Sequence, residues 1–135
     1  MNRPFDDQRQ TRVRIETEAK LCLQDQIRSR SLELVWSYML DFENAANPFE
    51  DRRVVIASWR QYAIMDVEES EMILGSATRL AATRLKAKDA LHVACAIAGV
   101  CEYFVTTDDA ILARARDVAG IALVDPTTLV REMNL

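Results

Sequence analysis

The segment from Asp89 to Val124 changes hydrophobic pattern three times in quick succession, and this limits the folds open to the chain. Asp89 to Ala98 is alanine-rich and reads as a helix, with Gly99 standing where helices end. Tyr103-Phe104-Val105-Thr106 then reads as a strand, Asp108 to Arg116 as a helix, and Ile121 to Val124 as another strand. Asp125-Pro126 opens a short terminal helix, because proline at the first helical position sacrifices no intrahelical hydrogen bond. Strands that alternate with helices pair in parallel, since each connection must cross a face of the sheet. The chain is therefore expected to be α/β.

Upstream, Asp6 and Asp7 look like helix-start residues for a long segment reaching about Arg30. Its apolar positions Ile15, Ala19, Cys22, Leu23 and Ile27 recur at helical spacing, with Arg9, Arg12, Glu16, Lys20 and Arg28 on the opposite face. Leu32 to Trp36 alternates and favours a short strand. Ser37 is placed to cap a helix through Glu43, which breaks near Asn47-Pro48. Further helices are expected from Phe49 to Ala63, with Val55, Trp59 and Tyr62 on one side, and from Glu69 to Leu85, with Ile73, Ala77, Leu80 and Ala81 inward. Three strands are few for a parallel sheet covered by so many helices.

At 135 residues the length suits a single domain spanning 1–135. Only three glycines and three prolines argue against collagen-like, linker-rich or many-stranded β architectures. The net charge of −4 disfavours a general polyanion coat. Cys22, Cys95 and Cys101 are odd in number without CxxC spacing, which suits free thiols in a reducing cytoplasm. No signal peptide precedes Arg3-Pro4, and the longest apolar run, Ala90 to Cys101, is too short for a bilayer. A cytoplasmic protein without membrane attachment is expected.

In parallel α/β folds, ligand-binding groups gather beyond the carboxyl ends of the strands. Glu43 follows the strand ending at Trp36, Asp108 and Asp109 follow the strand ending near Thr106, and Asp89 begins the helix leading into it. Carboxylates collected there repel one another unless a cation intervenes, and all-oxygen donors suit Mg²⁺ or Mn²⁺. Such an ion supports phosphodiester hydrolysis. Taken singly, each residue has an ordinary alternative: aspartate at a helix start serves as a cap, and Glu43 as a solvated helix position.

The stretch Leu85-Lys-Ala-Lys-Asp89-Ala-Leu-His-Val-Ala-Cys-Ala-Ile-Ala98, followed by Tyr103-Phe-Val-Thr-Thr-Asp108, closely resembles the PIN-domain family. Ile121-Ala-Leu-Val-Asp-Pro126 is similar to the family's last strand and proline, and Leu34-Val-Trp-Ser37 with Glu43 to its early strand, serine and glutamate. The resemblance covers roughly Asn2 to Met133. It implies a PIN-like three-layer domain, a short parallel sheet flanked by helices. It also implies a metal-dependent endoribonuclease, toxin-like as in bacterial toxin–antitoxin pairs, often dimeric and bound by an antitoxin. By position, Glu43, Asp89 and Asp108 would be Mg²⁺ or Mn²⁺ ligands, and Thr106 would orient the site through its hydroxyl. Asp109 becomes a substitute ligand, because Ala110 stands where many members have another aspartate.

The family's first strand, central in the sheet and ending in a metal-binding aspartate, has no counterpart in this sequence. Met1 to Asp7 resembles the family's segment just after that strand. Two readings stay open: a start assigned too late, or a truncated relative whose activity is impaired. A third is a non-catalytic PIN-like module that binds an antitoxin or regulator. His92 lies near the face of Asp89 and suits either proton transfer or a partly buried structural role. Arg79, Arg84, Lys86 and Lys88 form a basic run able to hold RNA phosphates or simply to face solvent.

Overall fold

The computed structural model describes residues 4–135. Helix α1 (Pro4–Arg28) leads to strand β1 (Leu34–Ser37), then α2 (Tyr38–Ala45) and α3 (Glu50–Ser58). A 3₁₀ turn over Trp59–Tyr62 passes into β2 (Ala63–Val67), followed by α4 (Glu71–Ala81) and α5 (Ala87–Ala98). Strand β3 (Tyr103–Val105), helix α6 (Asp109–Leu112), a 3₁₀ turn at Ala115–Asp117, β4 (Ala122–Val124) and α7 (Pro126–Glu132) complete the order. The α/β class follows directly.

Four strands are present among the described residues, one more than the sequence pattern predicts. The additional one is β2, which replaces the end of the helix expected to reach Ala63. Its Ile64 and Met65 face solvent and only Val67 is buried, so the alternation that marks a strand is missing from its sequence. The expected Asp108–Arg116 helix is two short pieces, and the helix expected to reach Leu85 ends at Ala81.

The strands form two separate sheets rather than one. β1 pairs in parallel with β2, and β3 in parallel with β4. α5 packs against both β1 and β3, and α4 lies alongside it. This makes α5 the centre of the core: Ala90, Val93, Ala94 and Cys95 are each at most 2% exposed. Complete burial of Val93 alone contributes on the order of 1.5–3 kcal/mol. Met39, Val67, Ile73, Ala77, Leu85, Ile111 and Leu123 join the same cluster. α1 packs on α7, and of its expected apolar stripe Ala19 and Leu23 are buried, Cys22 and Ile27 half-buried, and Ile15 exposed. What the Asp6 and Asp7 side chains do lies outside the described residues.

Local chemistry explains several boundaries. Ser37 begins α2 by accepting a bond from the Leu40 amide, as expected, and Ser70 and Asp125 do the same for α4 and α7. Gly99 caps α5, but at φ −78 it does not supply the left-handed turn. Val100 takes that conformation, at φ 57. The closing bonds run from Val100 N to Ile97 O and from Cys101 N to Ala96 O. Gly99 is required for space instead: a Cβ there would stand 2.7 Å from Val35 Cγ1 and 3.4 Å from Val67 Cγ2.

Candidate functional site

α5 runs opposite to both strands that lie on it, which fixes where the strand ends fall. Gly99 at its C-terminus meets Val35 of β1, and Cys95, one turn earlier, lies beside Ser37 at the end of β1. β3 follows α5 through a short connection and therefore runs back along it as β1 does. The carboxyl ends of β1 and β3 thus share one edge of the molecule, near the N-terminal half of α5. That edge carries the residues singled out by the sequence.

Glu43, on the exposed side of α2, places Oε2 2.6 Å from Nε2 of His92 on α5. The His92 side chain is only 12% exposed, so this contact fixes an otherwise mobile glutamate against the core helix. Asp89 lies in the first turn of α5, half-buried and one helical turn before His92. Glu43, His92 and Asp89 therefore occupy one neighbourhood.

Asp108 is the N-cap of α6, with Oδ1 accepting from the amides of Ala110 at 2.8 Å and Ile111 at 3.4 Å. Thr106 Oγ1 accepts from the Asp108 amide at 3.1 Å within the same turn. Because Oδ1 takes both helix amides, Oδ2 remains available for another partner. Asp109 is engaged elsewhere: Arg12 Nη2 of α1 lies 3.0 Å from its Oδ1. The same guanidinium bonds Glu16, and these two carboxylates hold it charged beyond the usual arginine range. Arg12, which the helical pattern assigns to a solvated face, is thus the tie between α1 and the end of β3.

The donor set of Glu43, Asp89 and Asp108 has the hard oxygen chemistry that suits Mg²⁺ or Mn²⁺. Among the described residues, no group of three or more His, Cys, Asp and Glu side chains stands close enough to hold a metal ion. The structure pairs Glu43 with His92 and the Asp108 amide with Thr106, as two separate contacts.

The neighbouring features divide similarly. Arg79, Arg84, Lys86 and Lys88 are all exposed, and Lys88 Nζ lies over the Phe42 ring beside Glu43. Trp59 and Tyr62 are half-buried and stack under Arg28 and Arg30 at the end of α1, while Val55 is exposed. A cavity of about 460 Å³ opens beside Glu43, lined by Leu40, Asn44, Ala46, Asn47 and Ile56. The three cysteines are free, Cys95 buried and the other two half-buried; burial pushes the Cys95 and Cys101 thiols up and keeps them protonated. No helix among the described residues is long and apolar enough to cross a membrane. No family model, curated protein or solved structure matches the chain.

Proposed function

We propose that the chain is a PIN-like, metal-dependent endoribonuclease of the toxin type, with Glu43, Asp89 and Asp108 as its metal-binding carboxylates. The observation that carries this reading is the shared edge: acidic residues from α2, α5 and the β3–α6 turn stand at the carboxyl ends of parallel strands. Bound Mg²⁺ or Mn²⁺ would polarise a phosphoryl oxygen and make water a better nucleophile. His92 holds Glu43 in place, and Thr106 fixes the backbone that presents Asp108. Lys86 and Lys88, exposed at the start of α5, would meet RNA phosphates as they approach. The family resemblance adds a PIN-like three-layer fold, a cytoplasmic setting, a homodimer and an antitoxin partner to the proposal.

A second reading, a non-catalytic PIN-like module that binds an antitoxin or regulator, is favoured by one observation. Glu43 and Asp109 already have protein partners, His92 and Arg12. Mn²⁺ titration followed by calorimetry, with cleavage of a fluorescent RNA in parallel, separates the two. The nuclease reading expects Mn²⁺ binding and cleavage that are both lost in Asp89→Asn, with the fold retained by circular dichroism. Mn²⁺ binding that is absent, or unchanged by Asp89→Asn, overturns it.

A further inference from the structure

Phe42 stands apart from its neighbours on α2. Met39 is 4% exposed and Leu40 half-buried, whereas Phe42 is 56% exposed. Lys88, in the first turn of α5, brings Nζ to 5.7 Å from the centre of the Phe42 ring. Among the described residues Lys88 forms no ion pair, and neither does the exposed Lys86. Both members of this contact adjoin candidate ligands in the chain: Phe42 precedes Glu43, and Lys88 precedes Asp89. Glu43 in turn meets α5 at His92, one helical turn beyond Lys88. Asp41, on the other side of Phe42, is engaged by Trp36 Nε1 at 2.9 Å and by Arg60, so it leaves the lysine charge unopposed.

From this arrangement we infer that Phe42 and Lys88 form a nucleotide subsite for single-stranded RNA, in which an unpaired base stacks on the Phe42 ring and Lys88 meets the adjoining phosphate. The inference rests on the nuclease reading for its place beside the scissile bond, and it deepens that reading by naming the substrate class. An aromatic ring accepts the flat face of any base, so such a subsite selects strandedness rather than sequence. Bases inside a duplex are already stacked on both faces and offer the ring nothing, whereas an unpaired base can be splayed onto it. The ammonium is free to take part. At 5.7 Å it stands near the outer limit of contact with the ring, and its flexible stem can turn it to a phosphate oxygen while the ring keeps its place.

The probe is a fluorescein-labelled single-stranded RNA of about eight nucleotides, with a blunt duplex of the same sequence as control. Binding is followed by anisotropy at low salt in EDTA, where no cleavage intervenes. Phe42→Leu keeps an apolar side chain and should weaken single-strand binding about fivefold or more, whereas Phe42→Trp should retain it. Duplex affinity should be the same in both variants. Lys88→Ala should reduce the slope of log affinity against log salt by about 0.7. Four results overturn the inference: no single-strand binding, binding unchanged in Phe42→Leu, equal weakening of the duplex, or failure of Phe42→Trp to retain affinity. Unchanged RNA binding with a shifted elution volume in Phe42→Leu would assign the ring to a protein contact and also overturn it. The two readings fail separately. Mn²⁺ binding indifferent to Asp89→Asn removes the nuclease while RNA binding still depends on Phe42, and cleavage that requires Asp89 but ignores Phe42→Leu removes the subsite alone.

Discussion

Gly99→Ala is the substitution whose outcome follows most directly from the packing of α5 on β1 and β2. The glycine is not in a left-handed conformation, so an alanine there carries no backbone strain. On propensity alone it would stabilise by about 0.4–1 kcal/mol, through loss of freedom in the unfolded chain. The new methyl, however, would stand 2.7 Å from Val35 Cγ1, well inside van der Waals contact, and 3.4 Å from Val67 Cγ2. Val35 is β-branched and stiff at χ1, so relief requires an off-rotamer side chain or a shift of the helix away from the sheet. Overpacking of this kind costs about 1–3 kcal/mol. The net expectation is a loss of about 1–2 kcal/mol, read as a lower urea midpoint at unchanged slope. A double-mutant cycle with Val35→Ala tests the cause, because removing Cγ1 removes the clash. The double variant should be more stable than the sum of the single effects by about 1 kcal/mol or more. Additivity within about 0.5 kcal/mol, or a stabilised Gly99→Ala, would refute the close-approach explanation.

Two further substitutions probe local costs within the fold. Val100 adopts φ 57 and is 84% exposed, so Val100→Gly should stabilise by about 1 kcal/mol in thermal unfolding, whereas a loss would show that its side chain contributes packing. The Tyr38 hydroxyl is buried without a hydrogen-bond partner, and burial pushes its pKa up. Tyr38→Phe should therefore be neutral or stabilising by up to about 1–3 kcal/mol in urea, and a clear destabilisation would reveal a partner for the hydroxyl.

Much of this architecture was legible where local chemistry and burial agree. Ser37 and Asp125-Pro126 mark helix starts that the structure reproduces, and the alanine-rich run before Gly99 becomes the most buried helix. β2 was not legible, because Ile64 and Met65 sit exposed and the strand is held by its ladder to β1 rather than by a buried face. The role of Gly99 was misplaced for a related reason: sequence suggests a turn, and only the neighbouring sheet reveals a demand for space. At the candidate site, the positions of Glu43, Asp89 and Asp108 along one edge could be read from strand order. The pairing of His92 with Glu43 and of Arg12 with Asp109 could not, since each joins residues distant in the chain.

The division of the strands into two pairs also bears on what holds the molecule together. Without ladder bonds between β1 and β3, the half that holds β1 and β2 and the half that holds β3 and β4 are joined by two helices, α5 at the core and α1, which packs on α7 and reaches Asp109 through Arg12. The two pairs nonetheless share one core, in which Met39 and Val67 of the first half join Ile111 and Leu123 of the second. The edge carrying Glu43 on one half and Asp108 on the other is then set by how α5 and α1 hold the two halves against each other. The spacing of those carboxylates is therefore a property of helix packing rather than of strand pairing.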